Sequence, residues 1–354
     1  MKLQLTSTKT IEIGGGASGT PSDVVGIELT RDDPRGCPAV RLQRRRKTWR
    51  VAAFGFVPPP NALPNSWEEL KAKSDGQWSL PGPFQAPAAA LAVETADATA
   101  RQTTLEGICG KASAEKLGVT LDKPYPLGGR RFALQKLGDE GGVLQAGLPE
   151  YQVLWLSRLL PEGRRPTVAS VQIATFARVA ALTTQKAFDE SAGAAINVIV
   201  SAHAIHFAGW CGGRLVFLRQ CPGIAGWEPV RTAVKSSLSL DDSLVDEIMD
   251  GSLVDPSFAM EPFVRPVLRE LALSIDYLSH HFKTEVETVY LTGLPAGGRY
   301  WNKIAAETSH VTLILPGVFD GLEVSTRKDA ASPVAGSVFL AALGAARAAM
   351  EVPA

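Results

Sequence analysis

Two stretches near the amino terminus contain the residue types that a phosphate-binding loop needs. The first, IEIGGG, covers Ile11–Gly16 and ends in three consecutive glycines, and the second, GIELTRDD, covers Gly26–Asp33. Glycine lets the backbone approach a phosphate closely, and successive backbone N–H groups can then cradle the anion. Each stretch also contains an apolar run typical of a strand. Either one is therefore a candidate nucleotide-binding loop.

Other reactive side chains do not form a recognisable catalytic or metal site. The stretch GICGKAS lacks the Walker arrangement, because Leu105 occupies the first glycine position and Ala112 follows the lysine. His203 and His206 are three residues apart on a predicted strand, so they point to opposite faces and do not share a metal. Ser201 has no assignable base and acid, so the sequence does not support a hydrolase triad.

The bulk composition excludes several classes of protein. Lys plus Arg and Asp plus Glu both number 36 in 354 residues, so no global charge favours nucleic acid. No stretch of about 18 apolar residues exists, and we expect no membrane-spanning helix. Few cysteines and no CxxC pair predict reduced thiols and a cytoplasmic setting.

The elements that must position these loops occur in an order that is repeated. Three consecutive strands are predicted at Val24–Leu29, Ala39–Leu42 and Trp49–Val57, the last two forming a hairpin with a basic tip. A second set begins near Ala195 with INVIV and a hairpin around CGG, followed by the amphipathic helix EPFVRPVLRELALSIDYLSHHF. The order of strands, hairpin and helix therefore appears twice.

This order resembles the PilM family, the actin-like cytoplasmic proteins of type IV pilus assembly that are related to FtsA. The stretches that carry the resemblance are VVGIELTRDD, KPYPLGGRRFALQKLG, EPFVRPVLRELALSIDYLSHHF and AGSVFLAALGAARAA, within Val24–Met350. The resemblance implies an α/β actin-like fold with two lobes. The implied domains are an N-terminal extension (1–23), a first lobe (24–190) with an inserted subdomain at about 100–165, and a second lobe (191–354).

The resemblance also implies three degenerate nucleotide-binding loops. Their candidate cofactor-binding residues are Glu28, Thr30 and Arg31 in the first loop, Ser201 and Ala202 in the second, and Gly293, Gly297 and Gly298 in the third. Thr30 stands where the family has glycine. No Asp or Glu lies between Gly193 and Trp227, so the second loop lacks a carboxylate to hold Mg²⁺. Since Ile11–Gly16 precedes the three-strand order, we interpret it as an N-terminal extension that ends in a flexible turn.

The implied function is that of a scaffold without catalytic residues or a metal site. ATP with Mg²⁺ is at most a weak ligand. The expected partners are the N-terminal cytoplasmic segment of a PilN-like inner-membrane protein and other pilus assembly proteins, which would place the chain at the inner face of the inner membrane. The alternatives are an active ATPase or sugar kinase of the same fold and a filament-forming actin homologue.

Overall fold

The chain divides into two units, and each is described by itself. Unit 1 comprises Met1–Gln185, Gly321–Lys328 and Phe339–Ala354, and unit 2 comprises Lys186–Asp320 and Asp329–Val338. The computed structural model describes residues 11–12, 21–30, 35–45, 48–60, 78–94, 98–104, 125–127, 130–137, 142–160, 166–182, 193–221, 223–251, 254–294, 297–325 and 337–351.

Apolar runs of unit 1 form a seven-stranded sheet. Its strands are β1 (Ile11–Glu12), β2 (Asp23–Leu29), β3 (Cys37–Arg45), β4 (Thr48–Val57), β5 (Ala88–Val93), β10 (Thr167–Ile173) and β16 (Glu323–Val324). The spatial order is β1-β10-β5-β2-β3-β4-β16. Strands β2, β3 and β4 are antiparallel neighbours, whereas β5 is parallel to both β2 and β10. The predicted three-strand opening and its hairpin are confirmed.

Two helices pack in unit 1 against this sheet. Helix α2 (Ala174–Leu182) follows β10 directly, and α7 (Leu340–Glu351) packs on α2 and β2. The Gln172 side chain of β10 donates a buried hydrogen bond of 3.2 Å to the Ala345 carbonyl oxygen of α7. The final helix thus belongs to unit 1, whereas the predicted second lobe (191–354) included it. Its alanine-rich surface lets it lie close to the sheet, a match that is not visible from the local sequence.

A smaller four-stranded sheet lies within the predicted inserted subdomain. Its antiparallel strands, in the order β6-β9-β8-β7, are β6 (Thr99–Thr104), β7 (Tyr125–Leu127), β8 (Arg130–Leu137) and β9 (Gly142–Pro149). Helix α1 (Glu150–Ser157) follows β9 and exposes Tyr151 and Leu154.

Unit 2 repeats the strand order of unit 1. Its sheet has the order β13-β12-β11-β14-β15, formed by β11 (Ala194–Val200), β12 (Ile205–Cys211), β13 (Arg214–Gln220), β14 (Val286–Thr292) and β15 (Leu313–Ile314). Strands β11, β12 and β13 are antiparallel neighbours and β14 runs parallel to β11, as β2, β3 and β4 are antiparallel and β5 runs parallel to β2 in unit 1. The predicted CGG hairpin is the β12–β13 connection. The duplicated plan expected from the sequence is therefore present.

Helices cover the core face of the unit 2 sheet. They are α3 (Trp227–Leu238), α4 (Asp242–Gly251), α5 (Ser257–Phe282) and α6 (Gly298–Ser309). Helix α5 begins four residues before the predicted EPFVRP start, so that Pro262 and Pro266 lie inside it. Its apolar stripe, including Val264, Leu268 and Leu271, is buried in the core. Among the residues described, no helix is long and apolar enough to cross a membrane.

The segment interpreted as an N-terminal extension contributes to the sheet. Ile11 and Glu12 pair antiparallel with Val171 and Ser170 at the edge of the unit 1 sheet. The glycines that follow them lie outside the described residues. A strand of two residues is too short to show the alternation of apolar and polar side chains by which strands are recognised in a sequence.

Candidate functional site

The first predicted loop begins at the end of strand β2 in unit 1. Glu28 is on β2, and Glu94 directly follows the parallel neighbour β5, in a register that pairs Glu28 with Ala92 and Leu29 with Val93. The ends of both strands therefore lie at the same edge of the sheet and bring two carboxylates together. Thr30 continues the chain beyond β2, and its carbonyl oxygen accepts a 3.3 Å hydrogen bond from the Cys37 thiol. Arg31 lies outside the described residues.

A buried arginine lies between the two carboxylates. Arg178, on helix α2, donates through Nη2 to Oε1 of Glu28 and through Nη1 to Oε2 of Glu94, the second pair at 3.3 Å. The side chains of Arg178 and Glu28 are only 8% and 11% exposed, so solvent screens this pair little. Burial alone would lower the pKa of Arg178, but the attraction of Glu28 and then Glu94 outweighs it and raises the pKa above its usual value. The guanidinium is therefore charged.

This arrangement does not fit a magnesium ion at Glu28. A Mg²⁺ ion needs carboxylate oxygens that are free to face it, and it rarely gives up its water shell. Here Glu28 already accepts a charge-assisted hydrogen bond from a cation that has little contact with water. Sequence reasoning found Glu28 but missed Arg178. The available signal was a single cation in the otherwise apolar helix ATFARVAAL.

The second predicted loop, in unit 2, closes on itself between β11 and β12. Ser201 donates its backbone N–H to the carbonyl oxygen of Ala204 at 2.9 Å. The Ser201 Oγ donates to the same carbonyl at 2.9 Å and accepts from the Ala204 N–H at 3.1 Å. Ser201 is therefore used to hold a tight turn, and its backbone N–H points to this turn rather than to a ligand.

The same turn caps the amino terminus of helix α3. The Trp227 N–H donates to the Ser201 carbonyl oxygen at 2.8 Å, and the Glu228 N–H donates to the Ala202 carbonyl oxygen at 3.0 Å. The first N–H groups of a helix are those that bind phosphate when they are left without a partner. Gly226 permits this contact, because a Cβ there would lie 2.4 Å from the Ser201 oxygen. Two amides suited to binding an anion are therefore used within the protein.

The third predicted loop follows strand β14 in unit 2. Gly293 has a φ of +84° and approaches β11 so closely that a Cβ would lie 2.2 Å from the Val200 carbonyl oxygen. Gly297 precedes helix α6 and faces the methionine methyl groups of Met249 and Met260. A Cβ on Gly298 would lie 2.1 Å from the Leu315 side chain. Close packing within unit 2 is thus sufficient to explain these glycines.

Neither histidine pair forms a metal site in the structure. No group of three or more metal-binding side chains occurs within the described part of the chain. His203 lies in the turn after Ser201, whereas His206 is on β12 opposite Ile199 and Gln220. At the end of α5, the His280 ring contacts the Asp276 carbonyl oxygen, and His281 stacks on Tyr277 with 4.8 Å between ring centroids.

Comparison with solved structures identifies the architecture. The PilM–PilN type IV pilus biogenesis complex contains a chain that is similar over 91% of this chain and 97% of its own length, with a TM-score of 0.61 and 15% identity. The chain has an actin-like fold. The predicted fold class, and the resemblance to PilM at the level of the fold, are confirmed.

More distant structures share part of this similarity. A protein from Bacteroides thetaiotaomicron with an actin-like ATPase fold and unknown function is 10% identical and covers 83% of this chain and 91% of its own, with a TM-score of 0.41. An archaeal actin homologue is 12% identical and covers 91% and 98%, with a TM-score of 0.38. No protein-family profile and no curated protein matches the sequence.

Proposed function

We propose that the protein is an actin-like scaffold in the assembly of a type IV pilus or a related secretion machine. The observation that carries this proposal is the similarity to PilM, which extends over nearly the full length of both chains. In that structure, PilM is in complex with PilN. A PilN-like segment is therefore the natural class of partner for this chain, together with other pilus assembly proteins.

The contacts of the three predicted loops support a scaffold that works without nucleotide. The acid of the first loop is paired with Arg178. The turn at Ser201 uses its carbonyl groups to cap helix α3. The glycines of the third loop are in tight contact with protein atoms. Within the described part of the chain, no comparable contacts favour the alternative of an active ATPase or sugar kinase.

An extended segment of a membrane protein is a physically reasonable ligand for such a scaffold. Main-chain hydrogen bonds provide affinity, and side-chain pockets provide selectivity, when an extended peptide lies on a preformed surface. Helix α1 offers two apolar side chains for this purpose, since Tyr151 is 44% and Leu154 is 39% exposed. Binding the cytoplasmic segment of an inner-membrane protein would hold the chain at the inner face of that membrane.

A binding assay tests the proposal. The 354-residue chain is titrated with the N-terminal cytoplasmic segment of a PilN-like inner-membrane protein, and we expect saturable binding in the presence of EDTA. The double variant Tyr151→Ser/Leu154→Ser should weaken binding. The matched control is Leu244→Ser in unit 2, where the leucine is 43% exposed. Absence of binding to the unmodified chain would contradict the proposal, and equal losses in the variant and the control would reject α1 as the contact surface.

A further inference from the structure

The hairpin of strands β3 and β4 ends in a basic tip that extends past the strands beside it. Strand β2 begins at Asp23, which lies opposite Gln43 of β3. On the other side of the hairpin, β16 is a strand of only two residues. Beyond these neighbours, β3 and β4 continue to pair with each other as far as Arg45 and Thr48, and the two residues between them lie outside the described residues.

Three arginines at this end of the hairpin carry charges that no acid neutralises. Arg44 and Arg45 are exposed, and Arg50 is half-buried. Arg50 donates from Nε to the hydroxyl of Ser325, which is a neutral partner. Glu323 lies beside Arg50 in the register of β16 and β4 but forms no ion pair with it. Within the part of the chain that the structure describes, none of the three guanidinium groups forms an ion pair, so their charges are directed to an outside anion.

An aromatic side chain lies at the base of the basic tip. The Arg44 guanidinium lies over the Trp49 ring at 5.4 Å from the centroid, and the Arg347 guanidinium of α7 lies 5.9 Å from it. Trp49 is half-buried. Tryptophan is enriched where protein meets the boundary between water and lipid, and arginine can keep its stem on apolar surface while its charged head reaches the headgroups. The tip therefore has the composition of a membrane-surface contact.

We propose that this basic tip binds the surface of an anionic membrane through the phosphate groups of the lipid headgroups. The planar guanidinium group matches the oxygen atoms of a phosphate and forms charge-assisted hydrogen bonds with them. The whole chain has balanced charge, so attraction to an anionic surface must come from a local cluster of this kind. Nucleic acid binding typically uses a wider basic face, whereas this cluster is confined to the end of one hairpin. The inference does not depend on the proposed partner, since the chain binds lipid without it.

Co-sedimentation of the 354-residue chain with lipid vesicles tests this inference. We expect saturable binding to vesicles of equal parts phosphatidylglycerol and phosphatidylcholine, and little binding to phosphatidylcholine alone. Added salt should weaken the binding, because it screens exposed charges. Arg44→Gln/Arg45→Gln should weaken it roughly 25-fold, or about fivefold for each arginine at the surface. Equal binding to the two kinds of vesicle, or full binding by this variant, would overturn the proposal.

Two further variants separate the basic tip from charge in general and from folding. Arg265→Gln/Arg269→Gln removes the same number of charges from exposed positions on α5 of unit 2 and should keep the affinity for vesicles. An equal loss in this control would show that only net charge matters. Arg44→Lys/Arg45→Lys keeps both charges and should bind within a few-fold of the unmodified chain. A loss as large as that of the glutamine variant would show that charge at the tip is not the cause.

Soluble competitors distinguish a membrane from other sources of phosphate. Glycerol phosphate and a DNA duplex of mixed sequence are each added to the bound vesicles at matched phosphate concentration and constant ionic strength. Neither should release the chain, because a membrane presents many headgroups to the tip at once. Release by glycerol phosphate would identify a site for a small anion, and release by DNA would identify a nucleic-acid surface. Either result would overturn the proposal.

Discussion

The first and second predicted loops are both occupied by the protein's own groups, but in different ways. In unit 1, a full positive charge on Arg178 satisfies the acid that the loop retains. In unit 2, where the sequence has no acid from Gly193 to Trp227, neutral carbonyl groups of the turn satisfy the amides of helix α3. A loop that keeps a carboxylate needs a cation. A loop without a carboxylate can be closed by backbone hydrogen bonds alone.

The largest expected effect comes from breaking the ionic contact of the first loop. Arg178→Ala removes the cation that pairs with the buried carboxylate of Glu28 and the partly exposed carboxylate of Glu94, and breaking a buried ion pair in this way costs about 3–5 kcal/mol. We expect this loss in the free energy of unfolding measured with urea. The control is Arg265→Ala, since Arg265 is 60% exposed and pairs with Glu261 on the surface of α5. That control should lose less than about 1 kcal/mol, and equal losses would show that Arg178 is not a special contact.

The second loop should respond to crowding rather than to charge. Gly226→Ala places a Cβ 2.4 Å from the Ser201 carbonyl oxygen and forces the turn away from helix α3. Overpacking of this kind typically costs about 1–3 kcal/mol. Urea unfolding should show this loss, whereas Gly82→Ala should show little change, because no atom lies within 4 Å of a Cβ at that position. If Gly226→Ala left the free energy of unfolding unchanged, this would contradict the close contact between the turn and α3.

Removal of the Ser201 hydroxyl should have a smaller effect. Ser201→Ala removes the side-chain bonds to Ala204 but retains the backbone bond within the same turn. A neutral hydrogen bond of this kind contributes about 0.5–1.5 kcal/mol. The reference variant is Ser157→Ala, in which the hydroxyl bonds locally to the Leu154 carbonyl oxygen on an exposed helix end. A loss for Ser201→Ala as large as that for Arg178→Ala would remove the contrast between the two loops.

The start of helix α5 provides a charged counterpart to the neutral cap of α3. Asp255 accepts a hydrogen bond from the Ser257 N–H at 2.9 Å and forms an ion pair with Lys303. The hydrogen bond from Lys303 is the largest cause, and contacts with Ser257 add to it, so that the pKa of Asp255 is lowered to about 2. A lowered pKa contributes stability above the unfolded pKa of about 3.9, and this contribution is lost as the pH falls towards 2.

Substitution of Asp255 should therefore have the smallest effect and a pH signature. The exposed ion pair limits the loss in Asp255→Asn to under about 1 kcal/mol near neutral pH. The difference in the free energy of unfolding between Asp255→Asn and the unmodified chain should become smaller in acid, as measured by urea unfolding at several pH values. The loss in Ser201→Ala should not follow this titration, because its contacts are neutral. A difference for Asp255→Asn that is constant with pH would contradict the assigned ion pair.

Local sequence patterns predicted more of the fold than of the site. Strands β2 to β4 and the CGG hairpin were predictable, because alternation of apolar residues and turn glycines are local signals. The absence of an acid in the second loop was also visible in the sequence. The contact of Arg178 with Glu28 was not, since the two residues are 150 positions apart and meet only when β10 and β2 join the same sheet. For the same reason, the return of helix α7 to unit 1 could not be predicted.

The glycines of the third loop show how one residue type permits two interpretations. Gly297 and Gly298 are candidate cofactor-binding residues from the sequence, because glycine allows close approach of any group. The groups that approach them here include the methyl group of Met249 and the side chain of Leu315. A sequence cannot distinguish close approach of a ligand from close approach of a side chain.

Isothermal titration of the full-length protein with Mg-ATP tests the central claim that the nucleotide loops are occupied by the protein itself. We predict no saturable heat at millimolar nucleotide and no release of phosphate. The same result is expected for Glu28→Gln. Micromolar binding with turnover, lost in Glu28→Gln, would contradict the account and would favour an active ATPase.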